Sequence, residues 1–247
     1  MRRPGPRGWT LATAAVVVCC VPAVPAVAAP SIAVSGYVKN LYRYSRSPLG
    51  DEPYWVDLTR ARVKLDAKLP LAQPAGDPGS PRRSVRVHLE YDHELRAGTY
   101  FDTLDYELFG LAEPQSYLTM EQAISTGTDA HYRHLLYRGW VELRSGPWRA
   151  RFGRQRIAWG TGKLWNPTDF LNPYRPVSLE REERRGVDSA SVRRGIGALG
   201  RGEAVYTLAD RWPGSDLLGR VSGNAANTDI SLSGGKVAGS TSSWTIG

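Results

Sequence analysis

From residue 55 onward the chain alternates apolar and polar positions with a period of two, the signature of strands with one apolar and one polar face. Over 55–69 the odd positions end in Ala61, Val63, Leu65, Ala67 and Leu69, while Arg60, Arg62, Lys64, Asp66 and Lys68 occupy the even ones. Over 84–96, Val85, Val87, Leu89 and Tyr91 alternate with Arg86, His88, Glu90 and Asp92. Over 132–144, Leu135, Tyr137, Val141 and Leu143 share one parity, and His134, Arg138, Glu142 and Arg144 the other. After Ser145-Gly146, Trp148, Ala150 and Phe152 alternate with Arg149 and Arg151, so 132–144 and 147–157 read as a tight hairpin. Weaker strands are predicted at 32–44, 185–193, 203–209, 217–222 and 227–236, and another begins near 242.

The best of these runs, about 11–15 residues long, exceed the usual strand of about 5–6 residues and match a strand that crosses a bilayer obliquely. The connections at 45–54, 97–131, 158–184 and 210–216 fall on one side of such a sheet. Those at 70–83, 145–146, 194–202 and 223–226 fall on the other. The two longest share a side and the tightest turn is opposite, the asymmetry of bacterial outer-membrane barrels, although 70–83 is long for an inner turn. Tyr42, Tyr44, Tyr54, Trp55, Tyr91, Tyr100 and Trp148 near strand ends fit an interfacial aromatic girdle. A soluble β-sandwich with a solvated charged face stays open at this stage.

The first 28 residues change the compartment. Arg2, Arg3 and Arg7 precede an apolar run from Leu11 to Val27, and Ala26-Val27-Ala28 offers small residues for cleavage, which reads as a signal peptide for the general secretory route. Both cysteines, Cys19 and Cys20, lie inside it, so the mature chain has no thiol chemistry and no disulfide framework. Removing it leaves 29 basic against 24 acidic residues, net +5, a modest excess that gives no argument for nucleic acid. No Gly-x-Ser-x-Gly element, P-loop or dinucleotide fingerprint occurs. His131 and His134 would fall on opposite strand faces, and the run Glu180 to Arg185 reads as a salt-bridge network. No enzyme and no cofactor or metal are expected.

One segment carries a resemblance. Gly153-Arg154-Gln155, Trp159-Gly160 and Trp165-Asn-Pro-Thr-Asp169 are followed by a charged run and Gly186-Val-Asp188. Over about a fifth of the chain this resembles the DUF1302-type, porin-like family of bacterial outer-membrane β-barrels. The resemblance implies an all-β, antiparallel, up-and-down transmembrane barrel in the outer membrane with long extracellular loops. It also implies a longer chain, so the about nine or ten strands visible here are expected to be an incomplete barrel. The expected activity is passive or selective diffusion of small solutes with a mild anion preference. A non-conducting surface barrel that is structural or binds a ligand is the alternative. Arg60, Arg62, Lys64, Arg86, Arg138, Arg149 and Arg151 are the candidate lumen-lining residues. Arg154, Gln155, Arg156, Trp159, Trp165, Asn166 and Asp169 are the candidate constriction in an inward-folded 158–184 loop. The expected partners are outer-membrane lipid, small solutes and the barrel-assembly machinery during insertion, with oligomerisation open.

Overall fold

A computed structural model of the chain describes residues 29–47, 49–71, 81–110, 117–125, 130–159, 185–238 and 243–246. The expected signal peptide (1–28), most of the 70–83 connection, and Trp165, Asn166 and Asp169 with the rest of 160–184 lie outside them. The architecture is all-β. The strands are β1 (Ser31–Arg46), β2 (Pro53–Leu71), β3 (Arg83–Ala97), β4 (Glu121–Ser125), β5 (Ala130–Ser145), β6 (Trp148–Gln155), β7 (Val187–Ile196), β8 (Gly200–Thr207), β9 (Leu217–Ala225), β10 (Thr228–Lys236) and β11 (Ser243–Ile246). Ten follow one another as antiparallel neighbours in chain order, and β4 lies off this path, paired with β5. The sheet is open: among the described residues β1 pairs only with β2, and β11 only with β10.

The two faces have inverted polarity. One row of register partners sets Arg60 against Glu94, Arg62 against Asp92 and Lys64 against Glu90. On this face Arg62 is 3% exposed, Asp92 0% and Glu142 1%, whereas the opposite face leaves Val34 70%, Val38 74% and Phe152 61% exposed. A sheet folding in water does the reverse, because burying apolar surface is favourable and burying charge is costly unless it is paired. The charged face is called inner and the apolar face outer below.

The sequence placed Leu135 and Tyr137 on the apolar face, and the structure corrects this. In β5, Arg138 pairs with Glu90 and Leu136 with Tyr91, so Tyr137 is the extra residue of a β-bulge. A one-residue slip turns every later side chain to the other face. Leu135 and Tyr137 are therefore buried on the inner face, and the Tyr137 ring lies 3.7 Å from the Arg62 guanidinium carbon. His134 instead pairs with His93 among the outward residues. Cysteines at 93 and 134 should form a disulfide on mild oxidation, since direct cross-strand partners suit its geometry. Cysteines at 93 and 135, the pairing an unbulged strand demands, should not; the opposite result would remove the bulge.

Two of the expected girdle aromatics are also reassigned. Tyr54 and Tyr100 are buried together, ring centroids 5.0 Å apart, where the 3₁₀ turn Thr99–Asp102 packs on the inner face of β2. Tyr42 and Trp55 stack at 6.3 Å among the outward residues, Tyr42 and Tyr44 are exposed, and Trp148 is exposed beside the β5–β6 turn.

Candidate functional site: the charged inner wall

The inner wall has two electrostatically different halves. Over β2, β3 and the upper part of β5 it is a zipper of opposite charges. Arg62 donates to both Asp92 oxygens at 2.5 and 2.6 Å and to Glu90 at 3.3 Å. Arg60 donates to Glu94 from Nε at 2.9 Å, and Arg133 joins that carboxylate at 2.5 Å while reaching Glu121 at 3.0 Å. His88 bridges Asp66 and Glu90 at 3.0 and 2.9 Å, Arg86 donates to Asp66 at 2.8 Å, and Arg138 lies 3.5 Å from Glu90. Lys64 rests 5.4 Å from the Tyr37 ring. Desolvated charges persist only when paired in good geometry, and these alternate in sign from strand to strand.

From β5 to β9 the wall turns cationic. One rung of the ladder places Arg144 opposite Arg149, Arg149 opposite Arg193, Arg193 opposite Glu203 and Glu203 opposite Arg220. Three arginines thus stand side by side on adjacent strands, an arrangement that costs stability in an isolated sheet. Arg144 and Arg151 share Glu142, the latter at 2.5 Å, and Arg193 reaches Glu203 at 3.0 Å. Arg149, in the middle of the triplet, is exposed and makes no ion pair or hydrogen bond among the described residues.

The candidate constriction residues separate into different roles. By register Arg154 and Asp188 are partners on the outer face, on the parity of Phe152 and Val192. Both are buried all the same, because Leu118, ahead of β4, closes over them. Arg154 donates to the two Asp188 oxygens at 2.9 and 3.0 Å, to the Leu136 carbonyl at 3.0 Å and to the Leu118 carbonyl at 2.5 Å. The Leu118 amide returns a bond to Asp188 at 2.9 Å. Arg154 therefore ties β5, β6, β7 and the approach to β4 together, and does not face the inner wall. Gln155 is buried between β6 and β7, donating to the Ser189 carbonyl at 3.1 Å and accepting from Ser191 at 3.0 Å. Gly153 makes this junction possible. At φ +122° a Cβ there would stand 2.3 Å from the Gly139 carbonyl oxygen.

Beyond Gln155 the chain leaves the sheet and crosses the inner face. Ile157 and Trp159 bury against Val205 and Leu218, inner-face residues of β8 and β9, and Arg220 donates to the Trp159 carbonyl. The chain thus turns onto the inner face over 156–159 with Arg156 exposed, while the rest of the expected inward loop, 160–184, lies outside the described residues. Between this strap and the wall lies a cavity of about 140 Å³, lined by Arg149, Arg151, Arg156 and Arg193 against only Glu142 and Glu203. Trp159 also lines it, and its buried indole Nε1–H has no hydrogen-bond partner among the described residues.

A second inward segment covers the upper end of β2, where burial pushes the Tyr100 hydroxyl up, helped by neighbouring Tyr54 and Asp105. The aromatic and histidine cluster of Tyr91, His93, Tyr132 and His134 lies on the outer face instead, with His93 and Tyr132 hydrogen-bonded at 2.6 Å. No group of three potential metal ligands occurs among the described residues.

Sequence reasoning missed Asp92, Glu94, Glu142 and Asp188 as the partners of its arginines, and it missed Arg193, Arg201 and Arg220. Their signal was present, since Arg193 and Arg201 flank a short turn with Glu203 between two weak strands. No family model matches the chain, and no curated protein or solved structure matches it either.

Proposed function

We propose that this chain forms wall and loops of a bacterial outer-membrane β-barrel of the porin-like kind, through which small solutes diffuse with a preference for anions. The observation that carries the reading is the inverted sheet: buried paired charges on one face, an apolar band that is half-buried to exposed on the other. On β2 that band runs from Ala61 to Leu69, about 26 Å along a strand rising ~3.3 Å per residue. At the ~40° tilt of barrel strands this spans about 20 Å, close to the ~25 Å apolar belt of an outer-membrane protein. In water such a band would be an aggregation liability, because soluble monomers rarely expose contiguous apolar patches larger than a few hundred Å². Exposed Tyr42 and Tyr44 at one end and Trp148 at the other are the residues an interface would select.

A lumen on the inner face explains why its charges are zipped over half the wall and unbalanced over the other half. The paired half braces the barrel, and the cationic half sets the field that a permeating ion meets. The reading requires that both open edges be covered in the membrane, because unpaired backbone groups there cost several kcal/mol each. Planar-bilayer recording on the full-length protein tests it. Discrete conductance steps with a reversal potential on the anion side in a salt gradient are expected. Well-folded protein that inserts without any step would leave the non-conducting surface barrel as the better reading.

A further inference from the structure

The geometry points to a built oxyanion site inside the proposed lumen: the cavity between the 156–159 strap and the cationic wall, centred on Arg149. It takes a small solute through a carboxylate or phosphate group. The inference rests on the channel reading and deepens it by naming the chemistry of the solute.

Three observations converge. The first is the Arg144–Arg149–Arg193 rung, where like charges face one another on adjacent strands with no carboxylate inserted between them. Such a rung is unfavourable without an anion, and an oxyanion bound between two guanidinium groups turns the repulsion into charge-assisted hydrogen bonding. The second is that the excess continues sideways. Arg149 feels the charges of Arg193 and Arg201, and Arg220 feels those same two, while the acids within reach, Glu142 and Glu203, are already engaged by Arg144, Arg151 and Arg193. The third is the strap itself. Trp159 contributes a desolvated N–H donor without an acceptor among the described residues, and burial of such a group is costly unless something accepts from it. The remaining polar groups near it, Gln155 and Ser191, satisfy each other. The site thus offers donors and positive charge. Its volume of about 140 Å³ lies far above what one water needs, ~10–15 Å³.

The paired half of the wall supplies the control. Lys68 is an exposed inner-face cation opposite Arg86, three strand steps from β6 through β3 and β5. At ~4.8 Å per step it stands about 14 Å away, beyond the ~10 Å screening length at 0.1 M salt. Calorimetric titration of the full-length protein, folded in detergent micelles at about 0.1 M salt, with inorganic phosphate and separately with succinate, should register saturable binding of at least one. Arg149→Gln should weaken that binding at least about tenfold, and Arg201→Gln should weaken it in the same direction, whereas Lys68→Gln should change it less than about twofold. Circular dichroism and heat-modifiable gel mobility check that each variant folds, and Arg201→Gln carries the test should Arg149→Gln fail to. Binding of only one probe tells which oxyanion the site takes. Equal weakening by Lys68→Gln would mean diffuse attraction and overturn the site, as would the absence of binding by either probe. Because the assay needs no conduction, binding without conductance would sink the channel and keep the site, and conductance without binding would do the opposite.

Discussion

Arg154→Met should destabilise the folded protein by about 3–5 kcal/mol, the cost of leaving a buried charge without its partner. Arg154 and Asp188 are 0% and 2% exposed at their side chains, so no water replaces the lost guanidinium. Methionine fills similar space and keeps the apolar part of the contact, which confines the loss to the polar groups. Those are the Asp188 carboxylate and the carbonyls of Leu118 and Leu136, which otherwise accept from Arg154. Adding Asp188→Asn should recover part of the loss, because a neutral amide tolerates burial better than an unpaired carboxylate. Removing the exposed pair of Arg46 and Asp51, 3.4 Å apart, by Arg46→Met should cost under about 1 kcal/mol. Urea unfolding of the micelle-folded variants measures all three. An Arg154→Met loss no greater than that of Arg46→Met would show that the junction does not depend on this residue.

That residue also shows what a sequence conceals. The strands of the long, regular runs and their two faces were legible because the environments on either side of this sheet differ so sharply that alternation is enforced residue by residue. The bulge at Tyr137 was not, because the apolar positions before and after it, Leu135 and Val141, fall on the same parity. Only the register with β3 reveals that an extra residue intervenes. The burial of Arg154 was hidden for a related reason. Its parity places it outward, and what meets it there is Leu118, inside a stretch that reads as one long loop from 97 to 131. The ion pairs were hidden by distance along the chain. Arg60 and Glu94 are 34 residues apart, and periodicity within one strand carries no information about its register with the next. The arginines were therefore visible as candidates, but not which were neutralised.

That distinction fixes where the ion selectivity of the proposed channel should reside. Counting charges along single strands gives Arg60 and Arg62 the same weight as Arg149 and Arg151. In the folded wall Arg60 and Arg62 are 5% and 3% exposed and bound to Glu90, Asp92 and Glu94, so their field is cancelled within a few ångström. Replacing them with Gln should unpair buried carboxylates and destabilise the protein, with little effect on selectivity in whatever fraction folds. Arg149 and Arg201 are exposed and share one neighbourhood with Arg193. Changing all three to Glu moves the local charge by six units at the cationic half of the wall. Field focusing in a low-dielectric pore amplifies that change at the ion path. The reversal potential of the full-length channel in a salt gradient should cross zero, from anion- to cation-preferring. The exchange is not free, since Glu at 149 would gain Arg144 on one side but Glu at 193 would face both Glu at 149 and Glu203, so circular dichroism and heat-modifiable gel mobility check folding before recording. A triple variant that folds and conducts with an unchanged reversal potential would mean that these arginines do not face the path. A change of sign produced by Arg60→Gln would mean that the zipper, and not the unbalanced rung, sets the field.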